Sequence, residues 1–215
     1  MGKIKKYGIQ TIGEEIANAV SHGVGALLGI AGTAVLIVFA ALNSNALGIV
    51  AASIYGFSLI ALHMMSTLYH SLTNEKAKRV FQVLDHCSIF LLILGTYTPI
   101  SLSMIGGRPG TILFGINLFL TVLGVVLNSV NMKKWHKLSM VFYLLMGWSI
   151  VFFFKYVPHV PTGGIMLVLL GGLSYTVGII FYRMKKWKFM HFIWHLFVLL
   201  GSILHYFFVL FYVYM

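Results

Sequence analysis

Apolar residues run through this chain in long blocks separated by short polar breaks, without the one-sided period of a helix that is half covered by water. A helix needs about 20 apolar residues to cross the hydrocarbon core of a bilayer. With breaks taken at Lys/Arg clusters, Gly/Pro turns and Asn/Ser pairs, seven segments emerge, over 20–42, 46–70, 84–104, 111–131, 138–156, 163–182 and 189–213. In lipid each backbone N–H and C=O must be satisfied within the segment, so such blocks are expected to be helices. The pattern therefore predicts an all-α integral membrane protein. A seven-transmembrane-helix bundle is expected, whose short connections would make residues 1–215 one domain, with no internal repeat or linker evident.

The cations orient it. Lys3, Lys5 and Lys6 precede the first segment; Lys76, Lys78 and Arg79 follow the second; Lys133, Lys134 and Lys137 follow the fourth; Arg183, Lys185, Lys186 and Lys188 follow the sixth. Only Arg108 and Lys155 fall on the other side. Lys and Arg near helix ends are retained on the cytoplasmic face, so the amino terminus is expected in the cytoplasm and, after seven crossings, the carboxyl terminus outside. The same clusters can also dock on anionic lipid headgroups.

Composition agrees, with 60% hydrophobic residues and 9% charged. A net charge of +11 would suggest a polyanion as partner in a soluble protein. Here the basic residues sit between apolar blocks and are not interleaved with aromatics on a solvated segment, which excludes a nucleic-acid groove. Cys87 is the only cysteine, so an intramolecular disulfide framework is excluded. The first apolar stretch is longer than a signal-peptide core and is read as a retained helix.

Ionisable side chains at membrane depth are costly and therefore informative. His70 ends the second segment, Asp85 and His86 open the third, and His191 and His195 open the seventh, all near the cytoplasmic face under the derived topology. His191 and His195, four residues apart, can aim both imidazoles into one cavity, a workable spacing for two metal ligands. His70 is the leading third ligand. Ser66, four residues before it, could orient a bound water or ligand, and Asp85 could accept a hydrogen bond from that water or from an imidazole. Three imidazoles with an open position suit Zn²⁺ in a catalytic arrangement; with Asp85 as a fourth ligand the site would be closed and structural. Alternatively these histidines cap helix ends, meet headgroups or bond to backbone carbonyls. His136 and His159 are placed in loops, His63 lies two turns deeper than His70, and His205 faces away from the pair, suited to an interhelical hydrogen bond. Glu15, Asn18 and His22 share one helical face before the first segment, either closing the cytoplasmic mouth of the bundle or belonging to an interfacial helix. Pro99 is expected to kink the third helix.

Together, Glu15, Asn18 and His22 in EEIANAVSH, Ser66 and His70 in STLYHS, Asp85 in VLDHCSIFLLILGTYTP, and His191 and His195 in HFIWH resemble the hemolysin III family, within the progestin and adipoQ receptor superfamily that includes the adiponectin receptors. The resemblance covers nearly the whole chain. It implies a seven-helix bundle of the bacterial plasma membrane with an intramembrane zinc held by His70, His191 and His195. It also implies that Asp85 holds a water at the metal with Ser66 beside it. The superfamily resembles membrane hydrolases related to alkaline ceramidases, which cleave lipid amides. Adipokine-type receptor signalling is not expected, since no long cytoplasmic amino-terminal domain is seen.

Three functions follow for comparison. The first is a zinc-dependent hydrolase of a membrane lipid amide or ester, with Asp85 as general base and Ser66 as an orienting or oxyanion-stabilising hydroxyl. The second is a cytolysin, which must first stay soluble although no surface here could hide seven apolar helices. The third is a sensor of membrane state that uses the metal structurally.

Overall fold

A computed structural model describes residues 10–215; Lys3, Lys5 and Lys6 lie outside the described residues. Helix α1 spans Ile12–Asn43 and begins well before residue 20, because a capping box and not the apolar run sets its start. The Thr11 hydroxyl accepts from the Glu14 N–H at 3.3 Å, and the Glu14 carboxylate accepts from the Thr11 N–H at 2.7 Å. Glu15, Asn18 and His22 therefore ride on the first turns of α1 and do not precede it. With Asn18 and His22 buried, the interfacial helix with a wet polar face is ruled out.

Helix α2 (Ala46–Ser71) is capped by Asn45, and α3 (Glu75–Pro99) by Asn74, whose side-chain Oδ1 accepts from the Lys76 and Ala77 N–H groups. That cap carries α3 back from the expected start at 84. At Pro99, which has no N–H to donate, the α-helix gives way to a π-helical turn over Ile100–Ile105 that ends at Gly106 with φ 62°.

Helix α4 runs over Gly107–Gly147 and is broken at one residue, Asn131 (φ −159°, ψ 84°). A loop up to 138 was expected from the lysines. Instead Asn131 caps the limb that follows by accepting from the Lys134 N–H at 3.1 Å, so the lysines occupy that limb's first turns. His136 thus lies on a helix and not in a loop. After Gly147 come a short α5 (Ile150–Phe153) and a 3₁₀ turn (Phe154–Tyr156), where an unbroken helix was expected. Exposed His159 lies in the loop before α6 (Thr162–Arg183), as expected, and α7 (Met190–Val209) ends in a π-helical turn.

Among the described residues no strand occurs, and six helical stretches are long and apolar enough to cross a membrane. Large apolar side chains face outward, such as Leu27 (70% exposed) and Val130 (77%), while many histidines, asparagines and serines are buried. That inversion is what a bilayer as solvent requires.

Small residues bring the helices close. A Cβ on Gly124 would stand 2.2 Å from Phe90 Cζ, and Phe90 is wholly buried, so its ring has no room to swing. Gly124→Ala is expected to cost about 1–3 kcal/mol, read as a lower thermal midpoint in detergent. Gly115→Ala, with nothing within 4 Å, should be neutral or slightly stabilising.

Candidate metal centre

The end of α2 and the start of α7 meet beside the first turns of α1. The start of α7 is fixed by α1, because the Phe189 N–H donates to Glu14 Oε1 at 2.7 Å. Phe189 itself is left-handed (φ 61°), a conformation unfavourable for a bulky residue and held here by that bond. The junction aims His191 and His195 inward, toward His70 on α2. Ring centroids lie 5.2 Å apart for His70 and His191, 5.0 Å for His70 and His195, and 4.5 Å for His191 and His195. One ligand nitrogen from each falls within 4.8 Å of the other two.

The hydrogen bonds separate the two nitrogens of His70. Its Nδ1 lies 2.6 Å from Glu15 Oε2, and a carboxylate can only accept, so Nδ1 carries a proton and Nε2 is the nitrogen that could meet a metal. Lys78 donates to the other Glu15 oxygen at 2.9 Å and holds the carboxylate in place. The 3.5 Å approach of Asn18 Nδ2 to the same ring nitrogen is only a contact, since a protonated Nδ1 has no lone pair with which to accept.

His70 Nε2, His191 Nε2 and His195 Nδ1 are all buried without a hydrogen-bond partner. Leaving one such atom unpaired costs free energy and leaving three together is rare. A single metal ion would satisfy all three, and this donor set fits one. The cluster can therefore hold a metal ion. Asp85 is not among these ligand atoms, and with Ser66, His22, His191 and His195 it lines a cavity of about 130 Å³.

A second cavity of about 620 Å³ shares Thr96, Tyr97, Trp148, Gly172 and His205 with the first and extends to the Val157–Pro161 segment. Its lining is largely apolar, so the space beyond the histidines suits a hydrocarbon chain better than a soluble metabolite.

The residues singled out in the sequence are thus brought together, with roles adjusted. Glu15 supports His70, and His22 packs its ring against His195 with centroids 4.0 Å apart. His205 bonds to the Val168 carbonyl on α6 at 3.2 Å, the interhelical role expected of it. Sequence reasoning missed four features. His63 Nδ1 meets His22 Nδ1 at 3.0 Å; Lys78 steadies Glu15; Glu14 ties α1 to α7; and His86, His136 and Tyr182 form one wall of the first cavity. The depth of His63, two turns along α2 from His70, was the one available signal.

The sequence profile described as haemolysin-III related matches residues 10–206. The chain is 42% identical to Hemolysin-3 of Bacillus cereus, over 95% of this chain and 94% of that one. It is 44% identical to the Hemolysin-3 homolog of Bacillus subtilis (strain 168), over 94% and 95%. Human monocyte to macrophage differentiation factor is 28% identical, over 90% of this chain and 82% of that protein.

Proposed function

This chain belongs to the haemolysin-III related family of membrane proteins, and we propose that it is a zinc-dependent hydrolase of membrane lipids that cleaves an amide in the manner of a ceramidase. One observation carries the reading: three unpartnered imidazole nitrogens converge beside a cavity that also holds Asp85 and Ser66. Three nitrogen donors with an open position favour Zn²⁺ in its catalytic form. When bound, the metal supplies Lewis acidity and an acidified water.

The protein's own groups do the rest. Asp85 accepts the proton of the attacking water and returns it to the leaving amine, and the Ser66 hydroxyl hydrogen-bonds the carbonyl oxygen as charge develops there. Glu15 fixes the His70 tautomer, and the His22–His63 pair packs behind His195. The apolar cavities take the acyl chain and exclude water from it.

The same reading makes residues 1–215 a single seven-helix domain of the bacterial plasma membrane, amino terminus cytoplasmic and carboxyl terminus outside. Gly107–Tyr156, 50 residues broken at Asn131, supports two crossings, since at about 1.5 Å per residue it far exceeds a hydrocarbon core of about 30 Å.

The test is amine release from a short-chain lipid amide by detergent-purified protein. Release should stop on chelation and return with Zn²⁺; release that persists without metal overturns the hydrolase. Dye release from liposomes that survives replacement of His70, His191 and His195 together would establish lysis instead. Glu15→Gln is expected to weaken zinc affinity about 10–100-fold, measured by competition with a chromogenic chelator, because a neutral amide no longer holds the proton on His70 Nδ1.

A further inference from the structure

The chain has four carboxylates, and each is already engaged or enclosed. Glu14 binds Thr11 and the Phe189 N–H, Glu15 binds His70 and Lys78, Glu75 lies 3.9 Å from Arg79, and Asp85 lines the cavity. The cations at the end of the bundle near the histidines outnumber these carboxylates, and most are left over. Lys133, Lys134 and Lys137 follow Asn131 on α4, and Arg183, Lys185 and Lys186 follow the tyrosine-bearing end of α6; none forms an ion pair among the described residues.

Between these two groups the cavity wall is polar. The His86 and His136 rings are 6.2 Å apart, His136 and Tyr182 are 5.7 Å apart, and the Lys185 ammonium lies 5.8 Å from the centre of the Tyr182 ring. His86 is committed on both nitrogens, donating from Nδ1 to the Gln82 carbonyl at 2.8 Å and accepting at Nε2 from the Tyr182 hydroxyl at 3.5 Å. Half-buried His136 has no hydrogen-bond partner among the described residues, although it faces the cavity that reaches His191 and His195. From there toward Trp148 the facing sides of α4 and α6 are apolar (Met140, Leu144 and Ile179), and beyond them Trp148, just past the end of α4, donates from Nε1 to Thr176 Oγ1 on α6 at 3.1 Å.

A polar, cationic mouth that leads into an apolar seam is complementary in shape and charge to an anionic lipid. We propose that Lys185 and His136 bind the phosphate of an anionic phospholipid whose acyl chain lies along the seam between α4 and α6, so that anionic lipids are retained there in preference to zwitterionic ones. The ammonium and the imidazole N–H supply charge-assisted donors to a phosphodiester oxygen, and a choline headgroup would bring a second cation against Lys185. The proposal rests on the reading above that a lipid enters this cavity, but not on its hydrolysis.

Native mass spectrometry of the detergent-solubilised full chain, offered equal phosphatidylglycerol and phosphatidylcholine of matched chains, tests it. Wild type should retain phosphatidylglycerol about tenfold better. The His136→Ala, Lys185→Ala variant should lose that preference with its metal content unchanged, and Lys133→Ala, Lys134→Ala should keep it. Equal binding of the two lipids by wild type overturns the proposal. So does a preference that survives in the His136, Lys185 variant or that falls equally in the control, which would make it a general surface effect. Competition by glycerol 3-phosphate as strong as by the lipid would make the site one for free phosphate and overturn it too. If the double variant does not purify folded, Lys185→Met alone carries the same expectation. A chain that prefers phosphatidylglycerol but hydrolyses nothing removes the enzyme reading and leaves this one standing; turnover with equal binding does the reverse.

Discussion

Replacing His191 and His195 together by alanine is expected to lower zinc from about one ion per chain to background, measured by elemental mass spectrometry on detergent-purified protein. The double change removes two of the three converging nitrogens and leaves His70 with only its bond to Glu15. A lone imidazole does not hold zinc against buffer and water. Thermal unfolding gives an independent readout. A metal that binds only the folded chain adds RT ln(1 + [Zn]/Kd) to its stability, about 4 kcal/mol at a thousandfold excess over Kd. Chelation should therefore lower the midpoint of wild type and leave that of the variant where it was. Well-folded wild type without metal, and with a midpoint indifferent to chelator, would return these histidines to ordinary polar contacts between helices.

The second large effect is expected from Asp85→Asn. Asparagine keeps the shape of the side chain and can still accept a hydrogen bond, but it cannot take a proton from water. Lipid-amide turnover should fall on the order of 10²–10⁴-fold while zinc content stays at the wild-type level, because Asp85 is not among the ligand atoms. Loss of turnover together with loss of zinc would make Asp85 a ligand and the site a closed one. Turnover within a few-fold of wild type, with zinc retained, would remove Asp85 from the chemistry.

The apolar blocks and the cluster of His70, His191 and His195 were legible in the sequence because both depend on features that survive in one dimension. Block length is fixed by bilayer thickness, and a four-residue spacing puts two imidazoles on one side of a helix. Helix starts were less legible. Hydropathy reports where a segment becomes apolar, whereas Thr11 with Glu14, Asn74 and Asn131 start their helices among polar residues by satisfying free N–H groups. For that reason His136 was misplaced in a loop, and Glu15, Asn18 and His22 were set ahead of the first helix. Partnerships across helices left no local trace. Nothing in the sequence near Glu14 marks it as the partner of the Phe189 N–H, and nothing near His63 points to His22.

The bond from Phe189 to Glu14 joins residues 175 positions apart, and this separation sets an order of events during biosynthesis. At about 5–20 residues per second, the Glu14 carboxylate waits on the order of ten seconds before its partner leaves the ribosome. His70 is made early and His191 and His195 late, so the ligand set is incomplete in every partly inserted chain. Glu15 and Lys78, both near His70, are already available to hold it through that interval. The metal cluster is thus assembled only once α7 has been made, and a nascent or truncated chain that stops short of His191 lacks it.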